Sequence, residues 1–210
     1  MQAEKGACMT KKRIALFASG SGSNAEKLAQ HFRDHNYIEV ALLFCNNPDA
    51  GVIKRMHALH IPVLVFGRPH MSEQNWVVNI IQTHNIDLIV LAGFLWKIPQ
   101  SILNLSIPIY NIHPSLLPKF GGRGMYGIHV HKAVLAAGET ESGITIHKVT
   151  EQYDEGAILF QARVCIDSEE TPESLAAKVQ VLEHQYFGSI IEQILLDPNL
   201  FKPHSGSSAH

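Results

Sequence analysis

RIALFASGSGSNAEKLAQHF, residues 13–32, changes its hydrophobic period halfway along. Arg13–Ala18 is a short apolar run without polar alternation, the pattern of a strand covered on both faces. From Ser23 to His35 the apolar residues Ala25, Leu28, Ala29 and Phe32 recur every three or four positions, as on a helix with one buried side. Between the two lies Ser19-Gly-Ser-Gly-Ser-Asn24. A strand, a glycine-rich turn and a helix in that order open a parallel α/β sheet.

The same alternation continues outward. Glu39–Cys45 and Pro62–Phe66 read as the next strands, with Gly51–Leu59 between them as a short helix burying Val52, Ile53, Met56 and Leu59. Ser72–His84 reads as a helix capped by Ser72, with Trp76, Val77, Ile80 and Ile81 inward. Asp87–Ala92 and Ile109–Ile112 follow as strands. The second half differs. Ser142–Val149 alternates, and Ala157–Ile166 follows the turn at Asp154-Glu-Gly156, so the pair reads as an antiparallel hairpin. Thr171–Leu196 reads as a long closing helix, with Thr171 as N-cap, Pro172 in the first turn and Glu173 at the positive end. Its inward stripe is Leu175, Val179, Leu182, Tyr186, Ile190 and Ile194. The expected architecture is α/β: an open, mostly parallel, doubly wound sheet with a hairpin in its C-terminal half. A single domain is expected over residues 12–200, with 1–11 and 201–210 as disordered ends. The Gly-rich stretch Lys119–Ile128 reads as an exposed loop.

The chain has 210 residues, 46% of them hydrophobic, enough to build one core. Lys plus Arg number 17 against 19 Asp plus Glu, so there is no basic excess to grip nucleic acid or an anionic membrane surface. No apolar run is long enough to span a bilayer, and the first residues, MQAEKGACMTKKR, carry no secretory apolar core. Cys8, Cys45 and Cys165 have no C-x-x-C spacing; Cys45 and Cys165 read as buried small hydrophobes. A reducing, cytoplasmic location is the expectation.

Three stretches could carry chemistry. In the first, Gly20 and Gly22 let the backbone turn sharply at a helix N-terminus, whose unpaired N–H groups and dipole suit a phosphate. Ser21, Ser23 and Asn24 add side-chain donors; the plainer alternative is a tight turn with a serine cap. Gly20-x-Gly22-x-x-Ala25 also fits a dinucleotide-binding fingerprint. That reading needs an acid closing the second strand, where the chain has Cys45-Asn-Asn-Pro48. The second stretch is NIHPSLLP, residues 111–118, at the C-terminal end of a strand. Asn111 and His113 face the same side, and an amide with an imidazole suits an oxyanion and a proton transfer. A structural histidine at a strand end is the alternative. The third is Asp154, in ordinary Asp-x-Gly turn chemistry. Histidine is abundant, at 13, but His129-x-His131 would point its rings apart on a helix, and no metal-binding spacing occurs. No metal is expected.

Taken together, SGSGSN (19–24), LAGFLWKIP (91–99), NIHPSLLP (111–118), GIHVHKAVL (127–135), the SGITIHKVT…YDEG hairpin (142–156) and VQVLEH (179–184) resemble the phosphoribosylglycinamide formyltransferases. These are folate-dependent enzymes of purine synthesis with a Rossmann-like sheet. The resemblance runs from Lys12 to about Leu196. It implies transfer of the formyl group of 10-formyltetrahydrofolate, a co-substrate, to the glycine amine of 5-phosphoribosylglycinamide. It implies Gly22, Ser23 and Asn24 at the substrate phosphate and Glu183 at the ribose. It implies Leu95, Trp96, Lys97, Ile98, Asn111, Thr150 and Asp154 around the folate. Asn111, His113 and Asp154 match the catalytic trio: Asn111 and a protonated His113 would stabilise a tetrahedral oxyanion, and Asp154 would raise the imidazole pKa. The chain departs from many relatives at Leu95-Trp96, where they have Met-Arg. The expected partners are the two small molecules, without nucleic acid or membrane; a homodimer is an allowed assembly.

Overall fold

The computed structural model describes residues 10–72 and 75–197. β1 (Lys12–Ala18), β2 (Ile38–Cys45), β3 (Val63–Val65), β4 (Leu88–Leu91), β5 (Ile109–His113), β6 (Glu141–Lys148) and β7 (Ile158–Cys165) form a seven-stranded sheet in the order β3-β2-β1-β4-β5-β6-β7. The helices are α1 (Ser23–His31), α2 (Gly51–Ala58), α3 (Arg68–Ser72), α4 (Trp76–Thr83), α5 (Gln100–Leu103), α6 (Ile128–Ala136) and α7 (Pro172–Leu196). Two compact units divide at Ile109/Tyr110.

In the first unit, β1 pairs in parallel with β2 and β4, and β2 with β3. Ile14 to Ala18 are completely buried, as an apolar run flanked by strands and covered on both faces must be. Phe17 stacks on Phe44 at 4.7 Å between centroids, and Phe66 and Phe94 extend that cluster toward the ends of β3 and β4. In the second unit β5, β6 and β7 are antiparallel. α7 begins with a capping box: Thr171 Oγ1 accepts from the Ser174 N–H at 3.1 Å, while Ser174 Oγ accepts from the Thr171 N–H at 3.0 Å.

Several expectations are corrected. The helix expected over Ser72–His84 starts later, as α4 at Trp76 with Asn75 at its N-cap position and a positive φ of 48°; Ser72, expected to cap it, ends α3 instead. α1 stops at His31 rather than His35. On α7 the buried stripe includes Phe187 and Ile191, while Leu182 and Tyr186 are only half-buried. The heptad-like count drifts around a helix of 3.6 residues per turn. Cys165 is exposed, because it ends β7 at the margin of the sheet, whereas Cys45 is buried. Cys8 and the ends expected to be disordered, apart from Thr10 and Lys11, lie outside the described residues.

Candidate active site

The first unit carries the loop after β1. Gly22 holds the N-cap position of α1 with φ 79°, and no side chain caps the helix. A β-carbon there would sit 2.2 Å from Val52 Cγ2, so the left-handed turn and the contact with α2 both require glycine. Val52 N–H donates to the Gly20 carbonyl at 3.1 Å, and Arg55 Nε donates to the Ser21 carbonyl at 2.9 Å while its guanidinium pairs with Glu26. α2 therefore clamps the loop through its carbonyls, and no side chain caps the N-terminus of α1. Asn24 Oδ1, and Asn46 Oδ1 just past β2, are buried acceptors without a partner in the structure. Asn46 and Asn47 occupy the place where a dinucleotide fold would carry its ribose-binding acid; Asn47 instead accepts the Asp49 N–H at 3.0 Å in a local turn.

Ser19 joins this loop to the segment after β4. Its Oγ accepts the Leu95 N–H at 3.0 Å, and its own N–H donates to the Gly93 carbonyl. Leu95 is exposed, Trp96 half-buried, Lys97 exposed and Ile98 buried. The Arg68 guanidinium lies 4.7 Å from the centre of the Trp96 ring, and Phe66 meets that ring edge-on at 5.8 Å. Arg68 escapes a reading of the linear chain, since only the return of β3 brings it beside residue 96.

In the second unit, β5 ends at His113, which is 3% exposed. Asp154 Oδ2 lies 3.5 Å from His113 Nδ1, so the two groups predicted to work together are within reach. Asp154 has a positive φ of 59° and accepts the Gly122 N–H at 2.9 Å. Gly121 passes so close that an added β-carbon would meet Leu117 Cδ2 at 2.6 Å and Asp154 Cβ at 3.1 Å. His113 Nε2 donates to the Phe120 carbonyl at 2.8 Å. The stretch expected as an exposed loop is thus half-buried from Phe120 to Gly122, where its backbone bonds both His113 and Asp154.

A buried frame fixes the turn between His113 and Phe120. Ser115 Oγ donates to the Lys119 carbonyl at 2.9 Å, and Thr145 Oγ1 donates to the Ser115 carbonyl at 2.7 Å while accepting the Leu117 N–H at 3.0 Å. Gln161 Nε2 reaches both the Leu117 carbonyl and Thr145 Oγ1 at 2.9 Å. Asn111 Nδ2 meets His147 Nε2 at 3.1 Å, and Asp154 Oδ1 lies 3.5 Å from the same nitrogen. Ser115, Thr145, His147 and Gln161 were not visible as a group in the sequence, because strand pairing rather than spacing assembles them. Thr150 is exposed, its Oγ1 donating to the Gln152 carbonyl at 3.3 Å, and Glu183 is half-buried on α7.

The electrostatics correct one expectation. Burial pushes the His113 imidazole below its ordinary value; the Asp154 charge and the Phe120 carbonyl oppose this without overcoming it, and His147 adds to the lowering. Asp154 therefore does not by itself raise the imidazole above its ordinary value, contrary to the expectation from the sequence. Burial raises the Asp154 carboxyl, but His147, the charge on His113 and the Gly122 N–H together bring it below the usual carboxylate range. Burial also lowers His131, with a further contribution from His113. Among the described residues no group of three or more His, Cys, Asp or Glu side chains is placed to hold a metal. Among them too, no helix is long and apolar enough to cross a membrane.

Residues 12–191 match the formyl transferase family model. Over 192 residues the chain is 40% identical to the chloroplastic phosphoribosylglycinamide formyltransferase of Arabidopsis thaliana, covering 88% of this chain and 65% of that protein. It is 37% identical to the Bacillus subtilis phosphoribosylglycinamide formyltransferase, covering 88% of this chain and 95% of that one. A solved phosphoribosylglycinamide formyltransferase from Anaplasma phagocytophilum superposes with a TM-score of 0.80 at 31% identity, covering 90% of this chain and 89% of that one. With its strand-end trio, its uncapped glycine loop and these matches, the chain belongs to the formyl transferase family.

Proposed function

We propose that the protein transfers the formyl group of 10-formyltetrahydrofolate to the glycine amine of 5-phosphoribosylglycinamide, a step of de novo purine synthesis. The observation that carries this reading is the approach of Asp154 Oδ2 to His113 Nδ1 at 3.5 Å, with Asn111 on the same strand, in a chain of this family. The amine attacks the formyl carbon and the carbonyl oxygen takes the negative charge. Collapse of the adduct breaks the bond to the folate nitrogen, which leaves with a proton.

The ring begins neutral, with Nε2–H given to the Phe120 carbonyl and Nδ1 as the basic nitrogen. Developing negative charge beside it raises its affinity for a proton, as Asp154 already does. A proton released by the attacking amine is then held at Nδ1 against the Asp154 carboxylate. The Asn111 carboxamide then donates to the oxyanion, while the imidazolium, its two N–H groups directed at Phe120 and Asp154, stabilises it by charge and returns the proton to the leaving folate nitrogen. Binding both molecules side by side supplies a further share of the acceleration through proximity.

Gly22, Ser23 and Asn24 would take the phosphate on the uncapped N-terminus of α1. Glu183 would accept from the ribose hydroxyls. Leu95 to Ile98, with Thr150, would line the folate. The reaction belongs to the cytoplasm in this reading, and a homodimer is tested by light scattering. The deciding experiment is a metal-free assay of formyl transfer between the two substrates. Turnover is the expected result. No turnover, with a melting-temperature rise on adding NAD or NADP and none with a folate analogue, would replace this reading with the dehydrogenase one.

A further inference from the structure

His147 is 2% exposed, and the steps above give it no role beyond its influence on His113 and Asp154. It stands directly opposite Asn111 in the antiparallel β5–β6 pair. Its Nδ1 lies 3.0 Å from the Lys148 carbonyl, which can only accept, so Nδ1 carries a hydrogen. With Nδ1–H given to that carbonyl, a neutral ring leaves Nε2 a lone pair that accepts; a hydrogen on Nε2 would instead go to Asp154 Oδ1, the contact that lowers the Asp154 carboxyl. The nearest donor is Asn111 Nδ2 at 3.1 Å, shorter than the 3.5 Å to Asp154 Oδ1.

We propose that His147 is a positioning residue: its Nε2 lone pair binds one N–H of the Asn111 carboxamide and so fixes the other N–H for the reacting oxygen. This rests on the reading of Asn111 as an oxyanion donor. The Asn111 carboxamide has no other side-chain partner among the described residues. Turned over, it would set Oδ1 against the Nε2 lone pair, so a ring held by Lys148 discriminates between the two orientations. An amide free to turn would present an acceptor to the oxyanion half the time and lose the preorganisation that makes such donors effective.

The test combines spectroscopy and kinetics. In ¹⁵N-histidine-labelled protein at neutral pH, His147 is expected to show a protonated Nδ1 and an unprotonated Nε2; a hydrogen on Nε2, in either the other tautomer or the doubly protonated ring, would overturn the proposal. His147→Leu should lower kcat by about ten- to hundredfold, with KM for both substrates little changed. His147→Gln, which restores an acceptor, should recover most of that loss. In an Asn111→Ala background, His147→Leu should cost nothing further. Should His147→Leu fail to fold, the glutamine variant decides: folded but as impaired as Asn111→Ala, it overturns the proposal. Unchanged kcat in a folded His147→Leu beside a collapsed Asn111→Ala overturns this proposal alone. Full activity in Asn111→Ala overturns the parent reading, and this one with it.

Discussion

The loop after β1 and the turn after β5 both follow a buried strand, yet the first presents backbone and the second presents side chains. At residues 19–24 the serine and asparagine side chains are secondary. Gly22 packs on Val52, α2 secures the loop carbonyls, and no side chain caps the helix terminus. Around His113 the polar groups satisfy one another: Asp154, Phe120, Gly122 and His147 hold a buried or half-buried network. A binding site for a permanent charge can be made of fixed dipoles. A step that also moves a proton needs, beside fixed donors, groups that change protonation, and the buried titratable side chains around His113 are of that kind.

That contrast predicts unequal responses to substitution. Asp154→Asn should produce the largest effect, a fall in kcat of about 10²- to 10⁴-fold in a folded protein. Near-normal formyl transfer would erase the distinction between the two regions. Gly22→Ala comes next. The strained φ and the clash with Val52 should destabilise the protein by about 1–3 kcal/mol. Calorimetry should also show weaker binding of the phosphorylated substrate with folate-analogue binding retained. Ser23→Ala with Asn24→Ala should be milder, about tenfold in affinity for the same substrate, because the backbone donors remain. A stronger effect on folate than on substrate would reverse the assignment.

The smallest effect sharpens the electrostatic side of the comparison. His113 is expected to titrate below about 6.5, and lower still in Asp154→Asn, since Asp154 is the charge that partly offsets burial. NMR titration of the ring reads this directly. The sign for stability follows: a histidine with a depressed folded-state pKa contributes stability that is full above about 6.5 and declines as the pH falls from there toward the folded-state value. The depressed Asp154 acts lower, its contribution present above its ordinary value of 3.8 and lost as the pH falls through its folded-state value. Thermal melts of His113→Gln should therefore lose less stability than the parent protein just below about pH 6.5. An equal loss would place the acid sensitivity elsewhere.

The strands and most helices were legible because burial on two faces leaves continuous apolar runs, and burial on one face leaves a helical period. Arg13–Ala18 and Thr171–Leu196 show this at its clearest. The start of α4 was not legible, since Ser72 offers ordinary N-cap chemistry whereas the observed N-cap is Asn75 in a left-handed conformation. Asn111 and His113 could be paired from their spacing on one strand. Asp154 joined them only through the family resemblance, because it lies 41 residues beyond His113 and no local pattern links the two.

The sequence by itself determined the alternation of elements, the glycine loop at the end of the first strand and the residue types at the end of the fifth. Those are properties of neighbours along the chain, where period and turn chemistry act. The tertiary structure alone decided that His147 faces Asn111, that Arg68 covers Trp96 and that burial outweighs Asp154 at the His113 ring. Each depends on distances between remote residues and on how much water is excluded around them. Burial outweighs a nearby carboxylate only once both can be measured in space.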